Sequence, residues 1–291
     1  MVSANIMKTK ILKLALLGSV FFAACDKAPI ESEQYQKLIY LVGAQDITRT
    51  VELEYSNKPV ETFVSVSSSG SLNIDKDVQV KLSNPLSIIE SYNDKYFEAD
   101  DTESFLKPIK TELFELPNKD NLWIKSSEEI FARQAILIQT ANLHTDSVHA
   151  IPITIDHVSE YEVNPKLKEL ILLVKLKNNF SGNYGMLGTR KHLGNNSIAN
   201  LQKNKVLKAT AINQLRMYIG DVSEVNTTRD SQTVLLTINE DNTIQVSPWS
   251  SLQDVSGSGT YDPDNKTITL TYRYTLNAVT YEVHETLSYI N

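Results

Sequence analysis

From Leu38 onward, apolar and polar residues alternate with the period of two that marks a half-buried strand. Leu38-Ile39-Tyr40-Leu41-Val42 is a compact apolar run, and residues 51–55, 60–66 and 78–82 alternate cleanly. Turn chemistry separates them in Ser67-Ser68-Ser69-Gly70-Ser71 and Asn73-Ile74-Asp75-Lys76-Asp77. Asn84 as N-cap and Pro85 at the first helical position, followed by Leu86, Ile89 and Tyr92 or Asn93, predict one short helix. Residues 109–116, 122–125, 130–139, 149–155 and 167–177 read as further strands. Pro108, Pro117, Pro152 and Pro165 sit at strand starts or edges, where a missing N–H is tolerated. Short strands at this spacing, with turns between them, predict a sandwich rather than a parallel sheet.

The pattern stops across Asn178-Asn179-Phe180-Ser181-Gly182-Asn183-Tyr184-Gly185 and then restarts. This stretch divides a first domain, 37–177, from a second, 178–291. In the second, residues 206–219, 232–239, 243–246, 266–275 and 279–290 read as strands. Ile268, Leu270, Tyr272 and Tyr274 share one face of the fourth, and Thr267, Thr269, Thr271, Arg273 and Thr275 share the other. Leu276-Asn277-Ala278 is short enough to make the last two runs an antiparallel hairpin. A meander of such strands closes into a small barrel or a curved sheet.

The N-terminus follows a different pattern. Lys8, Lys10 and Lys13 precede an apolar run from Leu14 to Ala24, and Ala23 and Ala24 stand before Cys25, the single cysteine. A basic head, a short apolar middle and a small-residue exit make a secretory signal over residues 1–24. The run spans only about 16 Å as a helix, too short for a hydrocarbon core of about 30 Å. Residues 25–36 are polar and aperiodic after the cysteine and read as a flexible tether.

Without residues 1–24 the chain carries 25 basic and 35 acidic residues, a net charge of −10. That balance argues against nucleic acid, whose phosphates need a basic footprint, and against a polybasic membrane patch. With one cysteine there is no internal disulfide, so the fold rests on its hydrophobic core. The five histidines, His144, His149, His157, His192 and His284, fall in no tight ligand spacing. Asp262, Asp264 and Asn265 read as a turn, since the calcium-loop series of acids is missing. The sequence shows no nucleophile elbow, no phosphate-binding glycine loop and nothing that calls for a cofactor or metal. Aromatic rings remain: Trp123, Trp249, Tyr184 and Tyr218 lie beside turn residues or glycines and are candidate stacking platforms for sugar rings.

Phe22-Ala23-Ala24-Cys25 resembles a bacterial lipoprotein box, which implies cleavage before Cys25 and lipid on its thiol. Further stretches strengthen a family likeness: Tyr35-Gln36-Lys37-Leu38-Ile39-Tyr40-Leu41, Ser65-Val66-Ser67-Ser68-Ser69-Gly70-Ser71, Tyr92-Asn93 and Ala150-Ile151-Pro152-Ile153-Thr154-Ile155. They resemble the N-terminal β-sandwich domain of Bacteroidetes glycan-utilisation lipoproteins, which also precedes the catalytic barrel of some family 18 endoglycosidases. Phe180-Ser181-Gly182-Asn183-Tyr184 and Gly259-Thr260-Tyr261-Asp262-Pro263 resemble the partner C-terminal, lipocalin-like domain. The resemblance implies an all-β chain, an N-terminal Ig-like antiparallel β-sandwich followed by a C-terminal lipocalin-like β-barrel. It also implies anchoring at the outer membrane facing the exterior, and a non-catalytic role binding glycan or assisting a glycan-import complex. The signature of the family 18 catalytic barrel, DxxDxDxE, does not occur. A structural or adhesive surface protein with protein partners is the alternative. Asp146-Ser147-Val148 also resembles the short O-glycosylation site of that phylum.

Overall fold

The computed structural model describes residues 32–126 and 131–290. The signal segment, Cys25 and the first part of the tether lie outside the described residues. The strands β1 (Leu38–Leu41), β2 (Thr48–Glu54), β3 (Val60–Ser68), β4 (Val78–Ser83), β5 (Leu106–Pro108) and β6 (Phe114–Glu115) come first. They are followed by β7 (Leu122–Ile124), β8 (Phe131–Ile138), β9 (Val148–Val158), β10 (Glu162–Val163) and β11 (Glu169–Lys177). These eleven form a β-sandwich: β10-β1-β3-β8-β6 in one sheet and β2-β11-β9-β4-β7 in the other, with β5 beside β9. Inward residues of both sheets, among them Ile39, Val64, Val80, Ile136, Ile153 and Leu172, make a single core. Most pairings are antiparallel, as expected, but β1–β10, β2–β11 and β5–β9 are parallel. The segment 109–116, expected as one strand, breaks at a 3-10 turn over Thr111–Leu113.

The helix α1 (Ser87–Tyr96) starts later than Asn84 and Pro85 predict. Its first turn bonds back to the carbonyls of Pro85 and Leu86 rather than to an Asn84 side chain. Ile88 and Ile89 pack it onto the outer face of the second sheet, against Leu106, Ala150 and Ile171. Buried Asn93 accepts from the Leu106 N–H (2.9 Å) and donates to its carbonyl (3.1 Å), closing the 97–105 loop. The last residues of the expected tether are also fixed. The Glu33 carboxylate takes the Lys37 ammonium and the N–H groups of Ser71 and Leu72, and these bonds hold its pKa down at about 2.

The second half is a closed barrel of eight strands. Its strands are β12 (Gly182–His192), β13 (Ile198–Ala211), β14 (Gln214–Tyr218), β15 (Thr233–Ile238), β16 (Thr243–Pro248), β17 (Gln253–Asp262), β18 (Thr267–Leu276) and β19 (Val279–Tyr289). Each pairs antiparallel with the next, and β12 pairs with β19 to close the ring. The β18–β19 hairpin is as expected, with Leu276 opposite Val279 and Asn277 and Ala278 both at positive φ, the geometry of a type I′ turn. The expected strand 206–219 instead splits into β13 and β14 around a turn at Ile212-Asn213. Asp262 accepts from the N–H groups of Asp264 and Asn265, the turn role read from sequence.

Apart from the Lys205–Glu285 ion pair, the barrel interior is apolar, and its outward positions are mostly polar. Met186, Leu215, Met217, Leu236, Leu270 and Tyr272 belong to the buried cluster that packs the interior. Glycines make the room. Gly257 pairs with Tyr272 and Gly259 with Leu270. A Cβ on Gly257 would lie 2.5 Å from the Thr271 carbonyl oxygen and 2.6 Å from the Tyr272 Cα. Both are backbone atoms, so no rotamer change relieves the clash. Gly257→Ala is expected to cost at least about 1–3 kcal/mol by overpacking, seen as a lower urea midpoint of unfolding.

Candidate functional site

The sandwich and the barrel meet through a short, pinned connection. Asn178, at the end of β11, donates from its side-chain amide to the carbonyls of Ala211 (2.7 Å) and Gln214 (2.9 Å). Its Oδ1 accepts from the N–H groups of Phe180 and Ser181. The stretch read as a boundary is therefore a bonded joint. Beside it, half-buried Asp146, on the loop before β9, pairs with buried Arg216 of β14, and Arg229 approaches the same carboxylate at 3.7 Å. Trp249 lies against this joint, 5.1 Å from the Arg216 guanidinium and 6.1 Å from the His144 ring.

Between the domains runs a cleft of about 740 Å³, walled by β2 and β11 on one side and β13 on the other. Domain junctions are common places for ligand pockets. Its walls carry hydroxyl, amide and charged groups: Thr50, Glu54, Lys177, Asn179, Asn183 and Lys208. Tyr289 supplies an aromatic ring at its edge and is 37% exposed. The ring lies across Gly182, where a Cβ would come within 2.7 Å of it and where the backbone φ of +145° already favours glycine. It meets Tyr184 edge-on at 5.4 Å, and the Lys266 ammonium sits 5.0 Å from its centroid.

Two carboxylates of the cleft have displaced pKa values, and both are held ionised. The hydrogen bond and charge of Lys175 pull the Glu52 carboxyl below its usual range. Burial pushes Asp146 up, but the bond and charge of Arg216, with Arg229 and Lys208, outweigh it and leave the carboxyl low. Among the described residues no group of three or more His, Cys, Asp or Glu is placed to hold a metal.

The four rings singled out in the sequence are not brought together. Tyr184 is 1% exposed and donates to the Phe180 carbonyl (2.7 Å), so it is barrel core and no platform. Tyr218 is 8% exposed and donates to the Val225 carbonyl (2.7 Å), which removes it in the same way. Tyr184 stands on an inward position of β12, where closure of the barrel buries it, whereas Tyr218 shares the outward face of β14 with Arg216 and is covered by the loop that carries Val225. Trp249 is half-buried at the domain joint. Trp123, 39% exposed, bonds Asn121 and lies on β7, at the opposite edge of its sheet from the cleft strand β2. Tyr289 went unnoticed because it continues the β19 alternation like any other barrel residue. In the Asp146-Ser147-Val148 motif, the acid is consumed by Arg216.

Residues 34–162 match a family model for an N-terminal domain, and residues 168–288 match a second model for a C-terminal domain. No curated protein matches the chain. The structure is similar to a Bacteroides ovatus protein of unknown function, with 14% identity and a TM-score of 0.65 over 86% of this chain and 93% of that one. It is similar to a multidomain protein of the same species, with 16% identity and a TM-score of 0.62 over 90% of this chain and 92% of that one. A third likeness is to an auxiliary nutrient binding protein from Bacteroides thetaiotaomicron, with 16% identity and a TM-score of 0.54 over 82% of this chain and 89% of that one. At these identities the likeness is one of fold.

Proposed function

We propose that this two-domain chain is a non-catalytic saccharide-binding protein of the cell surface, holding its ligand in the cleft between sandwich and barrel. The observation that carries the reading is the lining of that cleft. Amide, hydroxyl and ammonium groups converge on a space edged by one exposed tyrosine ring. Sugar hydroxyls need such donors and acceptors, and the apolar face of a sugar ring needs a flat partner. The auxiliary nutrient binding protein that shares the fold supports the same class of role. Anchoring at the outer membrane through lipid on Cys25, beside a glycan-import complex, is part of the proposal and is supported by the Phe22–Cys25 sequence.

The test is retention of soluble residues 26–291 in polyacrylamide gels containing glycans. A Tyr289→Ala, Lys208→Ala double variant is expected to lose at least about tenfold in affinity, near 1.4 kcal/mol. Trp123→Ala is expected to bind like the parent. Equal retention of the double variant and the parent would remove the cleft as the site.

A further inference from the structure

A second aromatic surface lies outside the cleft, on α1. Tyr92 and Tyr96 are one turn apart on this helix, the spacing that makes side chains neighbours. Their ring centroids are 4.5 Å apart with planes tilted by 39°. Behind them Phe97 and Phe105, 6.0 Å apart, continue the row and close the 97–105 loop together with Asn93. That closure accounts for the two phenylalanines. It does not account for Tyr96, which is 54% exposed on a helix whose packing is done by Ile88 and Ile89.

Beside the two tyrosines is an open groove of about 230 Å³, rimmed by Ser87, Ser91, Lys95 and Glu169. Its volume falls below the range of about 300–1,000 Å³ typical of drug-sized ligands, so it suits a single ring rather than a chain. The rim carries one ammonium, one carboxylate and two hydroxyls. The Glu169 carboxylate already lies 3.7 Å from the Lys168 ammonium; a neutral polyol can bond to Lys95, to both hydroxyls and to the second carboxylate oxygen without breaking that pair. The Lys95 ammonium stands 4.8 Å from the Tyr96 centroid, close to whatever stacks on that ring.

We propose that this groove is a second saccharide subsite, taking one uncharged pyranose ring of an oligosaccharide against Tyr96 and Tyr92. The inference rests on the reading of the chain as a saccharide binder and adds a site remote from the cleft's aromatic edge. Two sites on one anchored chain would hold a long glycan by avidity, with each contact weak.

The test uses the full-length chain in detergent and three probes, cellotetraose, mannotetraose and maltotetraose, with binding read by titration calorimetry and saturation-transfer NMR. For a probe that binds, Tyr96→Ala is expected to lower the affinity of one class of site about tenfold, leave the thermal midpoint unchanged, and keep the cleft-dependent signal. Tyr96→Phe is expected to retain binding. Loss of all binding in Tyr289→Ala with no effect of Tyr96→Ala would overturn the subsite and leave the cleft reading intact. Failure of the unmodified chain to bind any saccharide would overturn both.

Discussion

Replacing Glu285 by alanine is expected to destabilise the barrel by about 3–5 kcal/mol, the cost of orphaning one member of a buried ion pair. Lys205 and Glu285 lie inside the barrel with their charged ends 2.9 Å apart and essentially no solvent contact. The Lys205 ammonium also donates to the Tyr218 carbonyl (3.0 Å). The second Glu285 oxygen accepts from the Tyr272 hydroxyl (3.1 Å), which in turn accepts from the Gly220 N–H (3.1 Å). Burial pushes the Lys205 pKa down, with Glu285 opposing it, and pushes the Tyr272 hydroxyl well up. Glu285→Ala leaves an ammonium in an apolar barrel with a carbonyl as its remaining partner. Lys205→Met combined with Glu285→Leu removes both charges, and is expected to recover most or all of the loss. Urea unfolding of the single and double variants measures the difference. A single variant as stable as the parent would show that the pair does not hold the barrel interior together.

The second large effect lies at the joint between the domains. Asp146→Ala is expected to leave Arg216 buried without a carboxylate, again at a cost of about 3–5 kcal/mol. The loss falls on docking rather than on either core, because Asp146 belongs to the sandwich and Arg216 to the barrel. Calorimetry of the parent is expected to show one transition and the variant two, since domains without a firm contact unfold separately. The same pair sets an acid dependence. Asp146 has a folded pKa below its usual value, so its contribution is fully present above the unfolded pKa of about 3.9. That contribution disappears as pH falls through the lower, folded pKa. The parent is therefore expected to lose domain docking below about pH 4, and Asp146→Ala to lack that step. A single unfolding transition in the variant would contradict this account of the joint.

Alternation made most of the fold legible, because a strand with one buried face writes its burial into every second residue. The β18–β19 hairpin, β4 and β3 were readable for that reason. The barrel's β12 and β17 were not, because Gly182, Gly185 and Gly188 in one and Gly257 and Gly259 in the other imitate loop composition. There the glycine is a packing device: it sits opposite Tyr272 or Leu270, and the missing side chain is what lets the large one in. The buried pair left a trace that the sequence reading passed over. Glu285 occupies the apolar phase between Val283 and Leu287, and Lys205 stands two residues before Leu207 on an inward row. A charge in the apolar phase of two strands suggests a partnership, but which strands adjoin depends on barrel closure, which periodicity does not contain.

The candidate site was less legible still. Trp123, Trp249, Tyr184 and Tyr218 were chosen by residue type and neighbouring turns, yet whether a ring is free depends on the sheet face it occupies. The cleft gathers residues from β2, β11, β13 and the end of β19, far apart in the chain and joined by docking of two domains. Nothing local marks Tyr289 as different from the buried tyrosines of β18.

The most direct test of the central claim is a crystal structure of residues 26–291 soaked with an oligosaccharide that the protein retains. The account predicts an intact sugar between β2, β11 and β13, with one ring against Tyr289 and hydroxyls bonded to Asn179, Asn183 or Lys208. Density for a cleaved product, or a sugar bound with the cleft empty, would contradict it.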